Sequence, residues 1–288
     1  MYRTSTPRSK KGKRPLFVFV IVVLAIATII GLALMLGRKD SANDVDSASK
    51  EQSTAAEQQA SAPKPIDLQP TVDQWLATQS GDFGIVIYDP ATRTTLATHQ
   101  ADKQYFTASI YKLYVVYLAL MDIDGGKHSL GEAFRAGKTR QTCLYDAIHS
   151  SDSPCAEALL ADIGNEKVNQ RLADFGFTGT SFPAFMTTAQ DAANILKRLQ
   201  ANRDLTKQST DFLLDAMRNQ IYRDAIPKGM PEATVANKIG FYETGWHDAS
   251  LITMPDGRQF IMVVLTKDAR SRQIADLARV VYAKLNTP

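Results

Sequence analysis

Residues 106–120 read FTASIYKLYVVYLAL. The run after Lys112 is almost wholly apolar and predicts a buried helix over Ser109–Met121. Ser109 stands at the start of this helix, and Lys112 follows three residues later on the same face. A lysine in apolar surroundings loses hydration, which lowers its pKa and makes it a base for a neighbouring hydroxyl. The pattern therefore predicts a serine nucleophile with a lysine base, beside free N–H groups that can bind an oxyanion.

The Ser-x-x-Lys spacing alone is not specific. Ser47–Lys50 and Ser61–Lys64 have the same spacing in a polar stretch that predicts no fold. Ser109 differs because it follows a predicted β-hairpin and opens an apolar helix. The competing interpretation is an ordinary capping serine, with a lysine whose stem lies along the apolar surface.

The two ends of the domain predict strands, and its middle predicts helices. Strands are predicted at Phe83–Tyr88, Thr94–His99, Ala249–Met254 and Gln259–Thr266. Further helices are predicted at Thr71–Leu76, Cys143–Ile148, Cys155–Asp162, Glu166–Phe175, Thr188–Gln200, Thr210–Met217 and Asp268–Leu285. This order predicts an α+β fold, in which an antiparallel sheet is flanked by terminal helices and carries an inserted helical lobe. The cleft between the sheet and the lobe is the expected site.

The N-terminal segment predicts a membrane anchor. Residues 16–36 are apolar except for Thr28 and Gly31, which is long enough to cross a bilayer as a helix. Six Lys or Arg precede this span and two follow it, so residues 1–15 are expected in the cytoplasm. Residues 37–68 are then a disordered tether, and residues 69–288 an extracytoplasmic domain at the cell membrane. The lipid bilayer is thus a predicted partner.

The formal charge of +3 comes from the N-terminus. Eight of the 33 Lys and Arg precede Asp40, which leaves the rest with 25 cations against 30 acidic residues, a charge of −5. A mildly acidic domain without basic runs excludes nucleic acid as an expected partner. Four scattered histidines show no zinc-type spacing, so no metal or other cofactor is expected.

Cys143 and Cys155 both follow the predicted anchor, on the side of the membrane where disulfides persist. The sequence leaves two alternatives open. The cysteines form a bridge, or they are two buried free thiols.

Three short motifs occur in a characteristic order: Ser109-Ile-Tyr-Lys112, Ser151-Asp152-Ser153 and Lys238-Ile239-Gly240. In order and spacing, they resemble the class A β-lactamase-like family of penicillin-recognising serine hydrolases over Gly84–Leu285. The resemblance implies a five-stranded sheet and a serine that attacks an amide carbonyl with a lysine as base. The catalytic residues that it implies are Ser109, Lys112 and Ser151, the last passing a proton to the leaving nitrogen. The substrate-binding residues that it implies are Ser153, Lys238, Ile239, Gly240 and Phe241, with an oxyanion hole at the N–H groups of Ser109 and Phe241.

Three positions depart from the family pattern. Ser153 stands where asparagine is usual, and Ile239 where threonine or serine is usual. The loop after Phe182 lacks the glutamate that activates the deacylating water in β-lactamases, and Glu166 is interpreted as a first-turn charge of a helix. The expected activity is acylation by β-lactams with slow deacylation. The alternatives are a D-alanyl-D-alanine peptidase-like enzyme acting on peptidoglycan stem peptides and an inactive wall-binding module.

Overall fold

The computed structural model describes residues 66–286. The strands are β1 Asp82–Asp89, β2 Thr94–His99, β3 Gln104–Phe106, β4 Ala133–Arg135, β5 Lys138–Thr139, β6 Met186–Thr188, β7 Thr234–Tyr242, β8 Gly245–Thr253 and β9 Gln259–Lys267. The helices are α1 Gln69–Leu76, α2 Tyr111–Asp124, α3 Arg140–His149, α4 Ser153–Ile163, α5 Asn165–Asp174, α6 Ala189–Gln200, α7 Lys207–Arg218, α8 Ile226–Gly229 and α9 Ser271–Leu285.

The main sheet has five antiparallel strands in the order β2-β1-β9-β8-β7. The four predicted strands are confirmed within a few residues. The fifth, β7, was not predicted as a strand from its pattern, because Asn237, Lys238 and Gly240 interrupt the apolar alternation that marks one. As an edge strand, β7 leaves one side of its backbone without a neighbouring strand.

Each face of the sheet has its own apolar core. One core lies against the helical lobe and contains most of α2. The other lies against α1, α8 and α9. The predicted α+β fold with terminal helices and an inserted helical lobe is therefore confirmed.

The α-helix that contains Lys112 begins two residues later than predicted. Ala108–Ile110 form a short 3₁₀ helix, and the α-helix begins only at Tyr111. Ala108 has φ +44°, a left-handed conformation, so the backbone turns sharply immediately before Ser109.

The predicted anchor at residues 16–36 lies outside the described residues. Between residues 66 and 286, no helix is long and apolar enough to cross a membrane. The chain already packs at Leu68, which is buried and donates its N–H to the carbonyl of Leu96 on β2.

Candidate active site

Ser109 sits half-buried in the 3₁₀ turn between β3 and α2. Two backbone hydrogen bonds fix this turn: Thr107 N–H donates to the carbonyl of Phe185 at 2.7 Å, and Ile110 N–H to that of Thr107 at 2.9 Å. Left-handed backbone at a residue with a side chain costs about 1–3 kcal/mol, and such strain concentrates at functional sites. The turn presents Ser109 at the end of a buried helix, as a nucleophile requires.

His247 holds the strand that leads into this turn. Its Nδ1 accepts the Thr266 N–H at 2.9 Å, so the proton is on Nε2, which donates to the carbonyl of Phe106 at 2.8 Å. Burial lowers the pKa of His247 to about 4, which keeps the ring neutral. In the sequence, His247 is one of four scattered histidines and was not predicted to have a role. The one available signal was its place in the Gly-Trp-His-Asp run beside the third motif.

Lys112 lies in the first turn of α2 and is fully buried. Its Nζ donates to Ser153 Oγ at 2.9 Å, to Ser151 Oγ at 3.3 Å and to the Ser151 carbonyl. Burial lowers the pKa of Lys112 to about 8, against the opposing effect of the Asp152 and Glu157 carboxylates. In this arrangement the lysine binds the second motif, and within residues 66–286 no side-chain hydrogen bond is made by Ser109 Oγ.

Lys238 approaches Ser151 from the sheet. Its Nζ donates to Ser151 Oγ at 2.9 Å and to the carbonyl of Ile239 at 2.7 Å. Burial lowers the pKa of Lys238 well below its ordinary value, and the charge of Lys112 lowers it further, while Asp248 opposes both. The Ser151 hydroxyl thus accepts from two amines, and its own proton is left to donate to a third group.

The turn that carries Ser151 is held between two helices. Ser151 has φ +59°, and the Asp152 side chain caps α4 by accepting the N–H of Cys155 at 2.7 Å. Cys143 on α3 and Cys155 on α4 form a disulfide, with Cα atoms 4.9 Å apart. Cap and disulfide together limit the movement of Ser151 relative to Lys112.

On β7, Gly240 packs directly against the backbone of Ser109. A Cβ at Gly240 would lie 2.8 Å from the backbone nitrogen of Ser109, closer than non-bonded atoms approach, so only glycine fits. This contact brings the N–H of the next residue, Phe241, to the same end of the site as that of Ser109. Two backbone N–H groups at this end make a candidate oxyanion hole.

The side chain of Ile239 is buried in the sheet. Neighbouring residues on a strand point to opposite faces, so Ile239 points away from the face of Lys238 and Gly240, and it pairs with Asp248 on β8. It is 1% exposed. Its side chain therefore presents almost no surface to a ligand, and its part in substrate binding stays a prediction. Its carbonyl accepts a hydrogen bond from Lys238 Nζ.

Aromatic residues occupy the loop between α5 and β6. Phe182 packs edge-to-face on Tyr111 and Phe185, with ring centroids 6.4 and 5.4 Å away. The Asn169 side chain fixes the backbone of Phe182 by accepting its N–H at 2.9 Å and donating to its carbonyl at 2.8 Å. Residues 177–188 contain no carboxylate. Glu166 is exposed in the first turn of α5, as interpreted from the sequence.

In the described part of the chain, no three His, Cys, Asp or Glu side chains are grouped as metal ligands. The functional groups brought together are the three serines and two lysines of the motifs, with two backbone N–H groups. That set suits acyl transfer through a serine ester.

The β-lactamase enzyme family matches residues 67–285 of the chain. The protein belongs to this family. It is a member of the class A β-lactamase-like group of penicillin-recognising serine hydrolases, as the three motifs indicated. No curated protein sequence matches the chain.

Solved structures share the fold at low sequence identity. PBP-A superposes with a TM-score of 0.72 at 20% identity, covering 77% of this chain and 98% of that chain. The acyl-enzyme complex of a PBP-A mutant with penicillin G gives 0.71 at 20% identity, covering 76% and 96%. An ancestral class A β-lactamase gives 0.69 at 20% identity, covering 75% and 99%.

Proposed function

We propose that the protein is a serine hydrolase that forms an acyl-enzyme with β-lactam amides at Ser109 and releases it slowly. The observation that supports this most directly is that Lys112 and Lys238 both donate hydrogen bonds to Ser151 Oγ. Ser109 lies in the neighbouring 3₁₀ turn. Two buried lysines cost solvation free energy. Left-handed backbone at Ala108 and Ser151 adds strain. In an inactive wall-binding module, neither the buried lysines nor the strained backbone would bring a benefit that offsets its free-energy cost.

In the acylation step, Lys112 takes the proton of Ser109 Oγ as the oxygen attacks the amide carbonyl. For this, Lys112 Nζ must exchange its hydrogen bond to Ser153 for one to Ser109, a movement about its own side-chain torsions. The developing oxyanion accepts hydrogen bonds from the backbone N–H groups of Ser109 and Phe241. Ser151 then donates its proton to the leaving nitrogen and takes a proton from Lys112, which carries the one removed from Ser109 and is hydrogen-bonded to Ser151 Oγ. Lys238 orients Ser151 by donating a hydrogen bond to the same oxygen.

Slow deacylation follows from the loop between α5 and β6. Hydrolysis of the ester needs a base that activates water. In residues 177–188 the rings of Phe182 and Phe185 both pack edge-to-face on Tyr111. With no carboxylate in this loop, Lys112 is proposed to serve both steps.

The same loop favours a second candidate, a D-alanyl-D-alanine peptidase-like enzyme acting on stem peptides. PBP-A, whose fold this chain shares, is represented among solved structures by a mutant acylated by penicillin G. A peptidase of this kind reacts with β-lactams as it does with its peptide substrate, and it has no need for rapid turnover of the β-lactam.

Burst kinetics separate these activities. A chromogenic cephalosporin should release about one equivalent of product per enzyme quickly and then much less, and Ser109→Ala should show no burst. Rapid linear turnover without a burst would contradict slow deacylation. Release of D-alanine from a stem peptide would favour the peptidase. If neither reaction occurs, the inactive module is the correct interpretation.

We further propose that residues 16–36 anchor the domain outside the cytoplasmic membrane, with residues 1–15 inside. The supporting observation is the six-to-two distribution of cations around the apolar span. Protease added to intact cells whose outer surface is accessible should remove the domain by cutting in residues 37–68. A fully protected C-terminus would contradict this topology.

A further inference from the structure

A cavity of about 380 Å³ lies at one end of the main sheet, between the turn that joins β1 to β2 and the C-terminal end of α6. This volume is in the range of small-molecule sites. Half of the residues that line it are cations and none is acidic; the cations are Arg93, Lys197, Arg198 and Arg203. We refer to it as the basic cavity. A concave site lined by one sign of charge concentrates ligands of the opposite sign.

Only one of the four cations of the basic cavity has a carboxylate partner. Arg198 donates from Nε and from Nη2 to the two carboxylate oxygens of Asp204, at 2.7 Å each. Within residues 66–286, Arg93, Lys197 and Arg203 form no ion pair. Four cations and one carboxylate leave three positive charges. The basic cavity therefore has a local excess of positive charge, although residues 40–288 carry a net charge of −5, with 25 cations against 30 acidic residues.

Lys197 is held in a fixed position in the wall of the cavity. It is half-buried, and its Nζ lies 4.0 Å from the centroid of the Tyr88 ring, which lines the same cavity. Burial lowers the pKa of Lys197. An ammonium that is partly removed from water has a free-energy cost, which a bound anion would offset.

The end of α6 explains two of the four cations without a ligand. Lys197 and Arg198 lie in its last turn, where positive side chains interact favourably with the helix dipole. This explanation does not extend to Arg93, which lies in the β1–β2 turn, or to Arg203, which follows the helix. Arg93 has φ +57°, where glycine or asparagine would be less strained than arginine. The convergence of cations from two separate segments indicates a site for an anion.

The basic cavity is remote from the candidate active site. Tyr88 on β1 lies in register with Ala236 on β7, three strands away. Gly240, which touches the backbone of Ser109, lies four residues farther along β7. With strands about 4.8 Å apart and residues about 3.3 Å apart along a strand, the separation is roughly 20 Å. A ligand of the basic cavity is therefore a second ligand, distinct from the acyl donor.

We propose that the basic cavity binds a phosphate group. Guanidinium groups bind phosphate through pairs of parallel N–H···O bonds, and an ammonium adds a point charge. The excess of three positive charges favours phosphate over a monocarboxylate, because the attraction grows with the charge of the ligand. This proposal does not depend on the acylation of Ser109.

The phosphate group has two possible sources, a soluble phosphate and the head group of an anionic phospholipid. The described chain begins beside the basic cavity: Leu68 donates its N–H to the carbonyl of Leu96, and the preceding Thr95 pairs with Tyr88. If residues 16–36 anchor the protein as proposed, the segment that leads to the bilayer starts at this end of the sheet. The experiment therefore needs one probe for each source.

The test is calorimetric titration of the full-length protein in a non-ionic detergent, in chloride buffer at fixed ionic strength. The probes are inorganic phosphate and glycerophosphoglycerol, which is the head group of phosphatidylglycerol, and acetate is the carboxylate control. Wild type should bind at least one phosphate probe with a Kd of about 1 mM or lower, and acetate at least about tenfold more weakly. Tighter binding of inorganic phosphate would assign the site to a soluble ligand, and tighter binding of glycerophosphoglycerol to the lipid.

Arg93→Gln, Lys197→Met and Arg203→Gln should each weaken phosphate binding about 3- to 10-fold, because each removes one charge-assisted contact. Arg272→Gln is the matched control, since it removes an exposed cation at the start of α9 and should leave the affinity unchanged. Thermal unfolding shows whether each variant keeps its fold. The burst of Ser109 acylation should be the same in Lys197→Met as in wild type, which separates this site from the proposed function.

Three results would each overturn the proposal. Neither phosphate probe binds at concentrations up to about 10 mM, acetate binds as tightly as phosphate, or folded variants at Arg93, Lys197 and Arg203 all keep the wild-type affinity. None of these results bears on acylation of Ser109.

Discussion

Raising the pH from 7 to 9 is expected to speed acylation of Ser109 about tenfold. Only neutral Lys112 can take the serine proton, and burial places its pKa at about 8. The neutral fraction is then roughly one tenth at pH 7, one half at pH 8 and nine tenths at pH 9. The rate should therefore rise steeply through pH 8 and level off above pH 9. If the lysine were unperturbed, with a pKa of about 10.4, the acylation rate would still be increasing above pH 9.

The assay is the rate constant for acylation by benzylpenicillin, measured by rapid quench and intact mass between pH 6 and 10. Lys112→Arg is the matched variant, because it keeps a positive charge that cannot be lost in this range. It should acylate about 10²–10⁴-fold more slowly, the usual contribution of a positioned base, and its residual rate should lack the rise near pH 8. A wild-type rate that is constant from pH 7 to 9, or wild-type labelling of Lys112→Arg, would refute the assignment of Lys112 as base.

Three further changes test other parts of the site. Gly240→Ala should slow acylation about 10²-fold, because the added Cβ lies 2.8 Å from the Ser109 nitrogen and displaces the nucleophile; rapid-quench rates measure this, and a wild-type rate would show that the turn yields freely. His247→Ala should lower the free energy of unfolding by about 3 kcal/mol near neutral pH, because Thr266 N–H and the Phe106 carbonyl lose their partner. Since the folded pKa of His247 is depressed to about 4, its contribution is complete above pH 6.5 and is lost as pH falls toward 4, so urea unfolding should show the variant approaching wild type there; a constant difference would contradict the neutral ring. Phe182→Glu should raise β-lactam turnover by about 10²-fold, at some cost in stability, by placing a carboxylate in the loop that lacks one, whereas Phe182→Gln should not; equal turnover of the two variants would show that a base at this position cannot reach the ester.

The fold was largely predictable because its signals are local. The apolar run of α2 and the strand at Thr94–His99 each carry their own periodicity, and the structure places both where the pattern did. The strand β7 was not predicted from its pattern because several of its residues belong to the candidate site. Lys238 and Gly240 are needed for charge and for close approach, and such residues disrupt the pattern of an ordinary strand.

The sequence motifs predicted which residues form the candidate site, but not the contacts that hold these residues in place. The spacing of Ser109 and Lys112 indicated their shared function, but it gave no sign of the 3₁₀ turn, which depends on backbone contacts with Phe185. His247 lies 141 residues from Phe106 in the chain, and only the folded sheet brings the two together.

The most direct test of the central claim is to locate the acyl group. The soluble domain is incubated with benzylpenicillin, quenched and digested, and the mass of each peptide is measured over time. We expect one adduct, on the peptide that contains Ser109, persisting after free penicillin is removed, and none in Ser109→Ala. An adduct on any other residue, or no adduct in wild type while Ser109→Ala behaves identically, would contradict the account.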